Sequence, residues 1–354
     1  MLGFGKRGGV GLYNLHFEAR GGGEKRTLVL ADHLSRSRRV VLFSSGPLDV
    51  AALEAYFDVN LGRVEVVVLG SREEDFALIA SMQLDRFVNN SYLSELPCPA
   101  RQGVYMCMFP HTCETAALET YGVVTANSRF TAKWIRRMWG RRSRVVYSAC
   151  DAMEARSKDK VILSVGRFVA DSAGEHHKRQ DVLVTAFRKM PWLHDAGWEL
   201  HLAGTSIADE GSMRYLTSLR DAARGLPVHF HPDATGEDLR ALYGRARLYW
   251  HAAGFGSPPE KLPFRQEHFG VSIVEAMSAG AVPIVFDGGG PRETVIPGVN
   301  GYRFRDEECL AALTRRVVSD TAHERKLAKG AVATSRKFSR AAFVRRVERA
   351  LDAA

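Results

Sequence analysis

The sequence predicts an α/β protein of two Rossmann-like domains whose parallel sheets face a central cleft. Three observations lead there. The chain has 354 residues, more than one hydrophobic core usually organises, since single cores rarely grow past roughly 250–300 residues. Short β-rich runs alternate with helix-patterned segments in both halves, the signature of parallel sheets covered by helices. Finally, the stretch EHFGVSIVEAMSAGAVPIVFDGGGPRE, Glu267 to Glu293, sets a helix directly behind a glycine and follows it with a buried strand. That puts a helix N-terminus, whose first N–H groups lack internal partners, at the sheet edge where ligands of such folds bind.

In the N-terminal half, Gly11 to Phe17 is predicted as the first strand. A loop at Gly21-Gly22-Gly23 opens a helix from Glu24 to Leu34, with Leu28, Leu30, Ala31 and Leu34 apolar. Val40 to Phe43, Val64 to Leu69, Arg86 to Asn89 and Val123 to Ala126 read as strands. Ser128 caps a helix ending at Trp139, and Val145 to Tyr147 is another strand. The chain turns polar from Asp151 to Lys160, which places the interdomain linker there. The second series runs through strand Val161 to Val165, helix Gln180 to Met190, strand Glu199 to Ala203, helix Met213 to Arg224 and strand Val228 to Phe230. Helix Gly236 to Arg245, strand Leu248 to Trp250, helix Val271 to Ala279 and strand Ala281 to Phe286 complete it.

Composition narrows the function. The formal net charge is +9, spread as +5 over residues 1–150 and +4 over the rest. Nucleic-acid binders concentrate such charge on one element, so no nucleic-acid partner is expected. Attraction to anionic phosphates or an anionic membrane surface accounts for the excess. The chain has no apolar run long enough to span a bilayer, and its glycine-rich N-terminus lacks signal-peptide character. Five cysteines without a Cys-x-x-Cys fit a reducing cytoplasm.

The chemistry concentrates in a few residues. Glu267 sits in the loop before the Val271 helix, and Glu275 projects from its second turn. A carboxylate there lies about 5–8 Å from an anion at the helix start, about the distance from a phosphate to a ribose. One acid is thus placed to hold a sugar and the other a ribose, on opposite sides of a diphosphate. Arg167 follows the strand VILSVG and Lys178 lies in EHHKRQD. Two cations at a strand's carboxyl end suit a leaving diphosphate, the guanidinium gripping two oxygens and the ammonium acting as a point charge. Gly21-Gly22-Gly23-Glu24 is either an anion nest or a tight turn. Gly288-Gly289-Gly290-Pro291 either brings backbone close to a neighbour or simply turns the chain. His111, in MCMFPHTCET, is either structural or a neutral imidazole aligning a sugar hydroxyl. His176, His177, Cys107 and Cys113 lack zinc spacing, and no Asp-x-Asp occurs, so no metal is expected. The face of TAKWIRRMWGRR, Thr131 to Arg142, is open to a membrane surface or to the core.

These residues resemble a known group. GGGEK near the start, VVTANSRFTAKWI, VGRF with HHKRQDVLVTAF, and YWHAAGFG leading to the Glu-x7-Glu stretch, closed by GVNGYRF, make the chain similar over nearly its whole length to retaining GT-B glycosyltransferases of family 4. The resemblance implies residues 1–152 as an acceptor-binding domain and 153–335 as a nucleotide-sugar-binding domain. It implies a helix within 336–354 that returns to the first. It assigns Glu267 to the donor sugar's hydroxyls, Glu275 to the ribose, and the backbone of Phe269, Gly270 and Val271 to sugar and phosphate. Arg167 and Lys178 would neutralise the leaving diphosphate, Gly22 and Gly23 would close over it, and His111 would orient the sugar. The donor would be a GDP- or UDP-linked sugar, with a slight lean toward GDP-mannose. The acceptor would be a glycan or lipid-linked molecule in cell-surface polysaccharide or glycolipid synthesis, with no cofactor. The place of action would be the cytoplasm, peripheral at the inner face of the membrane. Departures are the segment Gly254 to Gln266, a lid or rim before Glu267, and VVYSACD, which lacks a proline pair. A sugar-nucleotide epimerase or hydrolase, or a non-catalytic sugar-nucleotide-binding protein, would use the same scaffold.

Overall fold

The computed structural model describes residues 8–70, 72–112, 115–170, 177–206 and 209–354. The chain forms two compact units: residues up to Ala149 together with Arg340–Ala354, and Cys150–Ser339. Each is built on a wholly parallel sheet, as the alternating pattern predicts.

The first unit holds strands β1 (Val10–Tyr13), β2 (Val40–Ser44), β3 (Val64–Val68), β4 (Arg86–Asn89), β5 (Gln102–Cys107), β6 (Val123–Ala126) and β7 (Arg144–Val145), in the order β3-β2-β1-β4-β5-β6-β7. The central strands are buried along their length, which is why they read as continuous apolar runs. On one face Val10, Leu12 and Leu42 pack with Leu28 and Leu34 of the Gly22–Ser35 helix and with Phe343, Val347 and Leu351 of the Arg340–Leu351 helix. On the other, Phe43, Phe87 and Tyr105 meet Ile135 and Trp139. The apolar face of the Arg129–Trp139 helix therefore belongs to the core, while Met138 stays exposed. Ser128 caps that helix by accepting from the Thr131 N–H at 3.0 Å.

The first strand is shorter than predicted. Asn14 Oδ1 accepts from the His16 N–H at 3.0 Å, a local turn that competes with the ladder, and Phe17–Ala19 becomes a 3₁₀ turn. Strand β5 and the helices Val50–Phe57 and Arg72–Ser81 went unpredicted. Strand β5 is buried from Gly103 onward and so lacks the alternation that marks a half-exposed strand.

The second unit holds β8 (Asp159–Val165), β9 (Glu199–Gly204), β10 (Val228–Pro232), β11 (Ala246–His251), β12 (Val282–Phe286) and β13 (Tyr302–Phe304), ordered β10-β9-β8-β11-β12-β13. Ile162 faces one core cluster and Val161 and Leu163 the other, as expected for a strand covered on both sides. The polar stretch expected as a linker lies within this unit. Asp159 and Lys160 open β8, the Met153 N–H donates to Ser278 Oγ at 2.8 Å, and the Arg156 N–H donates to Gly244 O at 3.2 Å. The strand order reverses between β8 and β11. Such a reversal splays the connections apart at the strands' carboxyl ends and leaves a crevice there.

Candidate functional site

The carboxyl ends of β8 and β11 carry the first two members of the site. Arg167 stands two residues past β8, held in place by its own carbonyl, which accepts from Gln180 Nε2 at 3.1 Å. Its guanidinium is half-buried and has no hydrogen-bond partner among the described residues. His251 is the last residue of β11 and is fully buried. Its Nε2 lies 3.0 Å from Glu267 Oε2. The same carboxylate oxygen accepts from Lys178 Nζ at 2.7 Å. The site therefore contains an ammonium–carboxylate–imidazole chain whose carboxylate and imidazole are buried and whose ammonium is partly exposed. Burial holds the His251 imidazole below its usual pKa against the pull of Glu267. It is therefore neutral at pH 7, and Nε2 must carry the proton to bond the carboxylate.

The loop carrying Glu267 leads into the Val271–Ser278 helix. Its N-cap is Gly270, at φ 90° in the left-handed region, with no side-chain cap and no acidic residue in the first turn. The N–H groups of Val271, Ser272 and Ile273 have no partner among the described residues. A helix start left uncapped in a sheet crevice favours an anion. Phe269 is buried edge-on against Phe338, with ring centroids 5.5 Å apart, which fixes the approach to Gly270.

Gly288, Gly289 and Gly290 lie against this loop rather than against open space. A Cβ on Gly289 would lie 2.1 Å from Glu267 O, and one on Gly290 2.2 Å from His268 O. The Gly290 N–H donates to Glu267 O at 2.7 Å. These glycines are what lets the backbone of Glu267 sit so close to the sheet. His268 is bonded to Phe264 O at 3.2 Å and is pushed down to about 4 by burial. The segment Gly254 to Gln266 contains the Pro263–Arg265 turn and is anchored by buried Gln266, whose Nε2 donates to Ser257 O at 2.9 Å.

Glu275 is buried on the same helix and accepts from the Tyr243 hydroxyl at 3.3 Å. Tyr243 stacks on Tyr249 and Tyr249 on His251, each pair 6.4 Å between centroids. This ring ladder joins the partners of the two glutamates. Tyr249 also bonds Ser272 Oγ at 2.8 Å and Val165 O at 3.2 Å, tying the helix start to the end of β8. Burial raises its pKa, so it remains a donor. Neither His251 nor Tyr249 was singled out from the sequence. Their signal was available in YWH, where residues two apart on a strand share a face.

In the first unit the glycine loop is differently occupied. The Gly22–Ser35 helix starts two residues earlier than predicted, so Gly22 and Gly23 are its first turn. Glu24 Oε2 accepts from the Gly21 N–H at 2.7 Å, and Asn90 Nδ2 donates to Gly23 O at 2.8 Å. His111 follows β5. Its carbonyl accepts from Trp139 Nε1 at 2.8 Å, and its buried Nε2 has no partner among the described residues. Burial lowers its pKa, leaving it neutral at pH 7. His176 and Cys113 lie outside the described residues.

Residues 151–333, just over half of the chain, match the family described as "Glycosyl transferases group 1". The chain is 23% identical over 269 residues to the GDP-Man:Man(3)GlcNAc(2)-PP-Dol alpha-1,2-mannosyltransferase of Xenopus laevis, covering 71% of this chain and 52% of that protein. It is 26% identical over 212 residues to the enzyme of the same name from Yarrowia lipolytica, covering 54% of this chain and 31% of that one. The chain thus spans about half or less of the length of the curated relatives it matches. The fold is shared with Anabaena HepE, crystallised with UDP, at a TM-score of 0.76 and 18% identity over 98% of this chain and all of that one. It is shared likewise with the sucrose-phosphate synthase of Thermosynechococcus elongatus, at a TM-score of 0.74 and 18% identity over 97% and 98% of the two chains. These are GT-B glycosyltransferases, and the fold class read from the sequence is borne out.

Proposed function

From the premise that the chain belongs to the group 1 glycosyl transferases, we propose that it moves a hexose from a nucleotide-diphosphate sugar to a glycan or lipid-linked acceptor, with retention of configuration and without a divalent metal. GDP-mannose is the favoured donor, because the relatives named above carry GDP-Man in their names. The observation that carries the proposal is the uncapped Val271 helix start, tied through Ser272 Oγ to Val165 O at the end of β8, with Arg167 two residues past that strand and Lys178 bonded to Glu267 in the loop before the helix. Cationic groups and a helix dipole supply there the charge that a leaving diphosphate needs.

In this reading the pyrophosphate rests on the N–H groups of Val271 to Ile273 with Arg167 across it. Glu275 takes the ribose and Glu267 the sugar hydroxyls. Lys178, already bonded to Glu267, links sugar recognition to neutralisation of the departing phosphate. The leaving phosphate oxygen accepts the acceptor's proton on the same face, so no protein nucleophile is required. The acceptor lipid brings the protein to the membrane surface; among the described residues no helix is long and apolar enough to cross one.

The test is incubation of the full chain with GDP-mannose, UDP-glucose and other nucleotide sugars, with and without a panel of lipid-linked glycan acceptors, in excess chelator. Transfer with retained anomeric configuration is expected, and Glu275→Ala should abolish it while the fold persists. Sugar release or epimerisation without acceptor, a chelator-dead enzyme restored by a divalent ion, or full activity in Glu275→Ala would each overturn it.

A further inference from the structure

Well away from these strand ends, the outer two strands of the second sheet bring four metal-binding side chains together. His229 of β10 lies beside His201 of β9 in the parallel register. Glu199 and His231 are each two residues removed along their own strands, so all four share one face. Glu199 Oε2 is 3.0 Å from His201 Nε2 and 3.7 Å from His229 Nε2. The three ligand atoms all lie within 4.8 Å of one another. A four-coordinate ion with bonds of about 2.0–2.2 Å spaces its ligand atoms about 3.2–3.6 Å apart, so small side-chain rotations close the set around one ion.

We propose that Glu199, His201 and His229 bind one divalent transition-metal ion of the zinc class, with water as fourth ligand and His231 orienting His201 from behind. Two imidazoles and a carboxylate suit zinc, cobalt, nickel or copper rather than magnesium or calcium. A metal on His201 Nε2 requires the proton on Nδ1, and Nδ1 lies 3.0 Å from His231 Nε2. That is the outer contact that fixes tautomer and ring angle in established metal sites. The ring of His231 stacks on His201 at 5.1 Å and 10°. Access is open, since Glu199 and His229 are nearly half exposed while His201 is buried behind them. Burial keeps His201 and His231 below the usual histidine pKa, and the bond from His201 holds Glu199 in its ionised range. Glu199 and His201 are therefore in ligating form near neutral pH. The cation facing the group, Arg245, is engaged by Asp159 Oδ2 at 2.6 Å, and Asp238 faces His231.

The ion would clip β10, the edge strand, to β9. Glu199 opens β9, about 16 Å from the carboxyl end of that strand at the rise of an extended chain. The ion therefore acts on stability and not on the transferred sugar. Metal-stripped full-length protein titrated with Co(II) should take up one equivalent and show the visible d–d bands of a four-coordinate site. Zn(II) at about a hundred times its dissociation constant should raise Tm by about 5–10 °C. Glu199→Gln and His229→Ala, half-exposed changes that keep the metal-free Tm and the basal activity, should lose both signals. His231→Ala should weaken binding about 10–100-fold. No d–d bands in the wild type, or bands and Tm shifts that survive in Glu199→Gln and His229→Ala, would overturn the assignment.

Discussion

Both sheets reverse strand order at an interior pair, β1 with β4 in the first unit and β8 with β11 in the second, yet the two crevices are furnished differently. In the first, the polar groups at the helix start bond one another. Glu24 caps its own helix, Asn90 bonds Gly23 O and Thr27 Oγ1, and Asn14 bonds Thr27 Oγ1. In the second, the helix start is uncapped, Arg167 has no partner among the described residues, and the charged chain Lys178–Glu267–His251 lines the floor. A helix terminus that has already bonded its own carboxylate has little left to offer an anion. Glycines before a helix look alike in both sequences. The difference lies in whether a capping acid follows within one turn, as Glu24 does and nothing after Gly270 does.

The sharpest way to break this comparison is Arg167→Ala. If the second crevice carries the leaving diphosphate, removing its guanidinium should lower kcat by about 10²–10³, the usual scale for deleting one preorganised charge stabiliser. Tm should change little, because the guanidinium bonds nothing among the described residues. Arg167→Lys should recover part of the rate, since it restores charge without the bidentate fork. Steady-state kinetics beside a melting curve decides it; a kcat within threefold of wild type would move the diphosphate elsewhere.

The sequence exposed this crevice well because its signals are local: a glycine before a helix, a cation two residues past a strand, acids eight positions apart. What it concealed was longer-range. His251 and Tyr249 gain their roles only when β11 lies beside β8 and the Tyr243–Tyr249–His251 rings stack. The Gly288-Gly289-Gly290 run was open to two interpretations until its contact with Glu267 and His268 was visible. Strand β5 escaped because full burial erases alternation, and the helices Val50–Phe57 and Arg72–Ser81 because short helices carry few turns of periodicity; strand β13 and the helices Glu307–Val318 and Thr321–Ser335 also went unpredicted. The Glu199–His201–His229 group was hidden because its members come from two strands, though Glu-x-His and His-x-His at strand spacing are the trace it leaves in the sequence.

Gly289→Ala tests how tightly the second crevice is built. At φ 59° and 2.1 Å from Glu267 O, an added methyl must displace the backbone that carries the carboxylate. The expected cost is about 2–4 kcal/mol from overpacking and left-handed strain, with activity falling at least about tenfold as Glu267 moves. The first-unit counterpart, Gly23→Ala, meets only the Met108 side chain, Sδ at 2.8 Å and Cε at 3.3 Å, the flexible end of that chain, and should cost much less. Chemical denaturation of the two variants side by side measures the contrast, and equal losses would remove it.

The dryness of the second crevice also predicts an acid slope. His251 and His268 titrate below the usual histidine pKa when folded, His268 near 4, while in the unfolded chain they titrate at about 6.5. Between those values the unfolded state binds protons that the native state refuses. Stability should therefore be unaffected by these groups above about pH 6.5 and fall as pH drops from there toward 4. For half-buried His268 the loss is on the order of 2 kcal/mol. His268→Gln should flatten the slope of unfolding free energy across that window, whatever it does to the plateau, and an unchanged slope would show the imidazole to be solvated.

The smallest effect expected concerns a buried cation of the first unit. Arg26 is fully buried on the Gly22–Ser35 helix, and its three guanidinium nitrogens have no hydrogen-bond partner among the described residues. Burial pulls its pKa down to about 10, against weaker opposing contributions from Cys107 and Glu24. Lys178 is the contrast, for its ammonium rests on Glu267. An uncompensated buried charge opposes folding, whereas breaking a buried pair strands the remaining partner. Arg26→Met should thus raise stability by about 1–2 kcal/mol, because the thioether fills similar volume without desolvating a charge. Lys178→Met should lower stability and turnover together by leaving Glu267 unneutralised. Unfolding free energies of opposite sign for the two substitutions are the expected result. A destabilised Arg26→Met variant would show that the buried guanidinium is compensated in the folded state.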